Sequence, residues 1–291
     1  MDELDLIRSF RANTAPPTAL ATARAERAWR RPEPRRPRWG ARVAIAACLA
    51  AAATAAALVI PGERESRLGA PEASAAETLR LAAKSQKGGL ARPLRPGEFF
   101  YVRAKTTWNG QPADRESWVA IDGTRRWLDE RQPGADFRVG PREKPFRLGD
   151  EAMSYADLLA LPRDAEALHT RLRQAAVDCR CGHSVDHETF VIVGDLLREN
   201  PIPTDLEAAL LRSAALIPCI KLIRSESDVA GRPGVGVAVD HAGYRSVLIF
   251  KRDSYELLGE NERHDGKLTG GSAILDSRVL DSMHRPPGRR R

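Results

Sequence analysis

An almost unbroken run of apolar residues, from Val43 to Ile60, constrains the fold of this chain more than any other feature. The eighteen residues carry no charge. As a helix they would span about 27 Å, close to the roughly 30 Å hydrocarbon core of a membrane. Pro61 and Gly62 would end such a helix where it leaves the bilayer. The run therefore predicts a single transmembrane helix at residues 43–60.

The charges on either side of the run predict its orientation. Residues 24–42 hold eight arginines and two acids, whereas residues 61–80 hold three arginines and four glutamates. Because basic flanks stay in the cytoplasm, we expect the N-terminus inside the cell and the larger C-terminal part outside. Two alternatives stay open, namely a cleaved signal peptide with a site near residues 73–75 and a buried helix of a soluble protein.

These boundaries divide the chain into a basic arm, an anchor, a linker, a large domain and a tail. The domain is nearly neutral, because the arm and the tail carry most of the net charge of +7. It is therefore not expected to bind nucleic acid. The parts are a cytoplasmic arm at 1–42, the transmembrane helix at 43–60, a linker at 61–72, an extracytoplasmic domain at 73–281 and a disordered basic tail at 282–291.

The outer domain shows helical, then strand, then helical, then strand patterns along the chain. Residues 98–108 alternate between apolar and polar side chains, which is typical of a half-buried strand, and Asn109-Gly110 marks a hairpin turn after it. In the helical middle, Ser154 with Asp157, and Thr204 with Glu207, indicate capping boxes. This order predicts an α+β fold in which helices pack on one side of an antiparallel sheet.

Several segments along the chain carry a resemblance to a known family. They are MDELDLIRSFRA, the arginine-rich approach to the alanine-rich anchor, PGEFFYVR, ESWVAIDGTRRW, LLALPRDAEALHTRLR, VGDLLRENPIPTDLEAALLRSAALIP, DVAGRPGVGVAV and LIFKRDSYELLGE. Together they resemble an uncharacterised family of actinobacterial single-pass membrane proteins, whose genes often neighbour extracytoplasmic-function sigma factors. The resemblance implies an outer domain similar to the half-barrel of lipoprotein carriers and of periplasmic regulators of anti-sigma factors, that is, a curved antiparallel sheet. It implies a membrane-anchored sensor or binding protein, and a sigma factor as its cytoplasmic partner.

Two groups of apolar residues are candidate binding surfaces. Leu4, Ile7 and Phe10 share one stripe of a short amphipathic helix in the arm, which either frays or docks on a cytoplasmic partner. Aromatic residues cluster in the first strands of the outer domain, where they either pack in the core or line a cavity for a hydrophobic ligand such as lipid or lipoprotein. The residues of this possible cavity are Phe100, Trp108, Trp118 and Trp127.

Cysteine and histidine residues lie close together at 179–187. Cys179, Cys181, His183 and His187 have the chemistry of zinc ligands, but one residue between the cysteines is tight for chelation. The alternatives are a disulfide, free thiols or surface histidines, and we expect Cys219 to pair with Cys179 or Cys181 outside the cell.

The sequence contains no catalytic motif. His187-Glu188 begins like a metalloprotease helix, but Val191 stands where the second histidine is needed. The glycines near Gly234 precede a strand, not the helix that a dinucleotide loop requires. We therefore expect no enzymatic activity and no cofactor, and the alternative function is a carrier or scaffold for a hydrophobic ligand.

The stripe in the arm generates a first prediction. Replacing Ile7 and Phe10 together by Asp removes the apolar surface, so a sigma factor that copurifies with the full chain is expected to be lost. Copurification is measured by affinity capture and mass spectrometry. Ser9→Asp, on the same segment but off the stripe, is the control, and capture that survives the double substitution would disprove docking by the stripe.

Overall fold

The computed structural model describes residues 74–85, 88–129, 136–179 and 182–284, which belong to one compact unit from residue 67 onward. The predicted arm with Leu4, Ile7 and Phe10, the transmembrane helix at 43–60 and the linker lie outside the described residues. Among the helices that are described, none is long and apolar enough to cross a membrane.

The described residues form five helices and eleven strands. The helices are α1 (Ala75–Ser85), α2 (Tyr155–Leu159), α3 (Ala165–Cys179), α4 (Val185–Glu199) and α5 (Thr204–Ala214). The strands are β1 (Phe99–Trp108), β2 (Gln111–Val119), β3 (Arg125–Asp129), β4 (Asp136–Val139), β5 (Phe146–Leu148), β6 (Glu151–Met153), β7 (Lys221–Ser227), β8 (Pro233–His241), β9 (Tyr244–Phe250), β10 (Leu257–His264) and β11 (Lys267–Leu280).

Nine of these strands form one antiparallel sheet in the order β4-β3-β2-β1-β11-β10-β9-β8-β7, while β5 pairs only with β6. The strands β1 to β4 and the strands β7 to β11 are two runs of sequential neighbours, and the pairing of β1 with β11 joins them. The sheet begins at β4 and ends at β7, so it is not a closed barrel. The prediction of an antiparallel sheet with helices is confirmed.

The helices pack against one face of the sheet because the strands alternate. On β8 and β9, Val237, Val239 and Leu248 join the helices in the main core, whereas Ala238 and Val247 face the other way and form a small second cluster. Helix α3 also buries an apolar stripe in the main core. The residues of that stripe are Leu168, Leu172, Ala175 and Ala176.

The local signals at turns and caps are confirmed with one exception. Asn109 and Gly110 both have positive φ, 49° and 76°, as a two-residue hairpin turn requires. Ser154 and Asp157 form the predicted capping box at α2.

The exception is the capping box predicted at Thr204 and Glu207, which is wrong. The N-cap of α5 is Pro203, which supplies no side-chain cap. The Glu207 carboxylate instead accepts a hydrogen bond from the backbone N–H of Gly89 at 2.6 Å. A Cβ on Gly89 would lie 2.7 Å from the backbone of Thr204. Because the segment around Gly89 packs closely against the start of α5, the Glu207 side chain binds the N–H of Gly89 and does not cap the helix.

The irregular pairing of β10 with β9 near Gly259 generates a second prediction. A Cβ on Gly259 would overlap the backbone carbonyl oxygen of Ser272 on β11, and backbone atoms in a central strand cannot move aside. Gly259→Ala is expected to lower the free energy of unfolding by about 2 kcal/mol or more. Denaturant titration measures the change. Gly140→Ala, where the added Cβ meets nothing within 4 Å, is the control, and equal effects of the two substitutions would contradict this account.

Candidate functional site

Helix α4 crosses the helix-facing side of the sheet and carries polar side chains at both ends. Ser184 caps its start by accepting a hydrogen bond from the backbone N–H of His187 at 3.2 Å. Its middle is apolar and buried, with Phe190 and Val193 in the main core. The candidate site is built around the two polar ends of this helix.

At the C-terminal end of α4, an open groove is lined by acidic side chains of β10. Glu260 pairs across the sheet with Ser272 of β11, and Glu262 pairs with Gly270, so both carboxylates follow one face. Arg198 of α4 contacts the Glu260 carboxylate in an ion pair. The space has a volume of about 570 Å³. We call it the acidic groove, and its lining also includes Thr106, Trp108, Arg115 and Glu199.

Beside the acidic groove lies a cavity of about 350 Å³ with a very different lining. Five arginines from β2, β3 and the segment 142–147 line it, and Glu199 is the one acid among its lining residues. Trp118, Val119, Trp127 and Val139 add apolar surface. We call it the arginine cavity, and its arginines are Arg115, Arg125, Arg126, Arg142 and Arg147.

Arg125 is a half-buried cation of the arginine cavity. One of its Nη2 hydrogens is donated to the backbone carbonyl of Pro145 at 3.0 Å, and its guanidinium lies 5.8 Å from the ring centre of Phe146. Burial lowers the pKa of Arg125; Glu199 opposes the shift, and Arg142 and Arg115 add to it. By contrast, Arg126 forms an ion pair with Asp136 at 2.8 Å. The cavity therefore holds positive charge that its own acids only partly balance.

An ion pair forms the shared wall between the two spaces. Arg115 Nη1 lies 3.2 Å from Glu199 Oε1, and both residues line both spaces. Because Arg115 projects from β2 and Glu199 ends α4, this contact also ties the helix end to the first strands of the sheet. One side of the wall is basic and the other acidic.

At the N-terminal end of α4, three buried polar groups are connected in a row. Ser246 Oγ lies 3.1 Å from His187 Nε2 and donates a hydrogen bond to Glu262 Oε2 at 2.8 Å. Burial is the largest cause that lowers the pKa of His187 to about 4, and the nearby His183 and His241 lower it further. Asp240 acts in the opposite direction. Burial also raises the pKa of Glu262 to about 7. Ser246 is only 3% exposed, so its hydroxyl is not presented to a substrate.

The four predicted cavity residues are separated by the fold. Trp118 and Trp127 line the arginine cavity, although Trp118 is 0% exposed. Trp108 is 63% exposed and lines the acidic groove instead. Phe100 is 5% exposed and belongs to the main core. Two of the four residues thus share a cavity, and the charged residues that dominate its lining were not predicted.

The structure also brings together only some of the cysteines and histidines that were grouped at 179–187. Cys179 is disulfide-bonded, so its sulfur is not available as a thiolate ligand. Cys219 is a free and exposed cysteine, and the expected pairing of Cys219 is therefore not present. Cys181 lies outside the described residues. His183 and His187 do lie together, with ring centres 4.8 Å apart.

The residues missed from the sequence are mostly charged. Arg125 and Arg126 follow the dipeptide Asp122-Gly123, which is typical of a hairpin turn, and adjacent arginines and tryptophans in such a hairpin were the available signal. Glu260 and Glu262 are two residues apart, so on a strand the alternation of side chains puts both on one face. The sequence did not reveal the pairing of β1 with β11, which brings the arginines of β2 and β3 close to the glutamates of β10.

Comparison with known proteins finds weak similarity to a few solved structures. No protein-family model matches the chain, and no curated protein matches it in sequence. Similar solved structures are a complex of Pseudomonas aeruginosa MucA and MucB (15% identity, TM-score 0.31), MucB with MucA(peri) (16%, 0.28) and MucB alone (16%, 0.30). Each match covers 74% of this chain and, respectively, 59%, 57% and 60% of the other. The chain thus spans less than two thirds of those chains.

The raised pKa of Glu262 generates a third prediction. A carboxyl whose pKa is raised on folding stabilises the protein fully below its unfolded pKa and loses that contribution as the pH rises through its folded pKa. The stability of the wild type relative to Glu262→Gln is therefore expected to fall by about 2 kcal/mol between pH 5 and pH 8. Denaturant unfolding across this range measures it. Glu256→Gln, at an exposed site, should show no such slope, and a flat difference for Glu262→Gln would refute the assignment.

Proposed function

We propose that the described residues form the extracytoplasmic binding domain of a single-pass membrane protein, which senses or binds a ligand and catalyses no reaction. The arginine cavity is the observation that carries this proposal. Its volume of about 350 Å³ falls within the range of small-molecule sites. It combines apolar walls with charged groups that would fix the orientation of a bound molecule. The most reactive arrangement nearby, Ser246 with His187, is buried, which supports binding over catalysis.

The charges of the cavity favour a ligand that carries negative charge. Arg125 is partly buried with one carbonyl as its hydrogen-bond acceptor, and Arg142 lines the same space. Guanidinium groups recognise carboxylates and phosphates through paired, charge-assisted hydrogen bonds. An anionic ligand would balance the repulsion among these arginines, and the ring of Trp127 would contact its apolar part.

The regulatory part of the proposal joins this domain to the arm. A change in the outer domain on ligand binding would alter how the stripe of Leu4, Ile7 and Phe10 docks on a cytoplasmic partner, with a sigma factor as the partner. Its support is the resemblance of the sequence to membrane proteins encoded beside sigma-factor genes and the charge asymmetry around residues 43–60. In this proposal the anchor lies in membrane lipid, and the protein does not bind nucleic acid.

The second candidate function is a carrier for a hydrophobic ligand such as lipid or lipoprotein. It is favoured by Trp127, which lies in the cavity wall and stacks on Phe137 with ring centres 5.2 Å apart. Val119 and Val139 extend the same apolar surface. The arginines count against a cargo without any charge, because their guanidinium groups would lose water without gaining a partner.

Filling the cavity tests the binding function and is the fourth prediction. Ser117 lies on β2 opposite Trp127 of β3 and lines the cavity, so Ser117→Trp would occupy the space of a ligand. The full chain is purified in mild detergent and examined by native mass spectrometry and by analysis of extracted small molecules. A bound molecule is expected on the wild type and is expected to be lost from Ser117→Trp.

Ser225→Trp is the matched control, because Ser225 is exposed on the edge strand β7. Trp127→Ala provides a second cavity variant that adds no bulk. A wild type without any bound molecule, or a molecule that stays on both cavity variants, would overturn the proposal. A bound molecule without any acidic group would favour the carrier over the sensor of an anionic ligand.

A further inference from the structure

Three histidines from different parts of the chain meet at the N-terminal end of α4. His183 precedes the helix, His187 lies in its first turn and His241 ends β8. Their ring centres are 4.8 Å apart for His183 and His187, 6.0 Å for His183 and His241, and 6.2 Å for His187 and His241. Two imidazoles bound to one tetrahedral zinc ion, with Zn–N bonds of about 2.0–2.1 Å, have ring centres roughly 5 Å apart. The cluster is therefore only slightly wider than a metal site.

When the Glu262 carboxylate is ionised, its hydrogen bond with Ser246 determines which nitrogen of His187 is free. Ser246 has one hydroxyl hydrogen and donates it to Glu262. The contact of 3.1 Å between Ser246 Oγ and His187 Nε2 then requires His187 to donate from Nε2. Its Nδ1 consequently keeps a lone pair.

That lone pair is buried without a partner. His187 is 2% exposed, and its Nδ1 has no hydrogen-bond partner among the described residues. A buried polar atom without a partner is costly and calls for an explanation. Metal-binding histidines typically donate from one ring nitrogen to a supporting group and bind the ion through the other. The row from His187 through Ser246 to Glu262 has this form.

The acidic side chain beside His241 in sequence is engaged by two basic residues. Asp240, next to His241, is held by Arg245 at 2.6 Å and by Lys221 at 2.8 Å. Neutral imidazole is the form that binds metal ions. His183 and His241 are both partly exposed, so their rings have room to turn. Such turning is needed, because no three His, Cys, Asp or Glu side chains within the described ranges already stand placed to hold an ion.

We propose that His183, His187 and His241 form a binding site for a divalent transition metal ion such as Zn²⁺, with Ser246 and Glu262 as positioning residues. The site uses no cysteine. It is built from other side chains than the arginine cavity, so it does not depend on the proposed binding function. Imidazole ligands favour zinc, copper and nickel over magnesium and calcium.

Zinc binding by the full chain tests the site and is the fifth prediction. The chain is purified in mild detergent without a polyhistidine tag, dialysed against a zinc buffer at pH 8 and analysed for bound metal, with calorimetry for affinity. One zinc ion per chain is expected. His183→Ala and His241→Ala, at partly exposed positions, are each expected to weaken binding at least tenfold. Ser246→Ala is expected to weaken it by 10- to 100-fold, as the loss of a supporting hydrogen bond does.

His284→Ala is the matched control, because His284 is exposed and lies away from the cluster. Its neighbour Met283 accepts a hydrogen bond from Arg126 of β3, in the other half of the sheet. Cys219→Ser controls for the exposed thiol. Both are expected to bind zinc like the wild type. Absence of stoichiometric zinc, unchanged affinity in His183→Ala and His241→Ala, or equal loss in His284→Ala would overturn the proposal.

Discussion

The pairing of β1 with β11 is the constraint on which the rest of the structure depends. It joins residues from the two ends of the domain, from Phe99 opposite Leu280 to Trp108 opposite Gly270. Closing so long a loop costs conformational entropy, which the pairing of ten residues and the shared core offset. Without it, the arginines of β2 and β3 and the glutamates of β10 would lie on separate sheets. The two charged linings are neighbours only because this pairing places them there.

Helix α4 then determines what the sheet exposes. Its apolar middle is buried in the core, while Arg198 and Glu199 at its last turn reach β10 and β2 respectively. Ion pairs of this kind, one partly buried and one largely exposed, contribute little net stability, because desolvation and screening by water offset much of the attraction. Their main contribution is to fix the position of the helix end, because moving one partner away would leave the other charge uncompensated. The pairs hold the end of α4 at a fixed place, and the arginine cavity and the acidic groove lie on its two sides.

The sequence was most informative where structure is decided locally. The Asn109-Gly110 turn and the Ser154 cap depend on residues a few positions apart, and both were predicted correctly. The strand β7 was missed, because at the sheet edge its side chains are mostly exposed and its pattern is not apolar. Glu207 was assigned to a local cap, but the N–H of Gly89 competes for it from a distant segment. The antiparallel sheet with helices was thus predictable, whereas the order of its two halves was not.

The same distinction applies to the sites. His183 and His187 were grouped from their spacing alone, but His241 joins them only through the packing of α4 on β8 and β9. Trp118 and Trp127 were grouped as neighbours on one hairpin, and the arginines beside them had no apolar pattern to reveal their role. Charged residues on a strand are usually solvated, so their convergence on a cavity becomes visible only when the opposite wall, here Glu199 and the segment 142–147, is in place.

Glu262 connects the two ends of α4 in a way that the length of the helix would not suggest. Fifteen residues of helix extend about 22 Å, yet Glu262 lines the acidic groove and also accepts the hydrogen bond of Ser246, which contacts His187. Ser246 has a single proton, so the direction of its hydrogen bond depends on both neighbours. The histidine cluster and the acidic groove are therefore connected by contacts through three side chains, His187, Ser246 and Glu262.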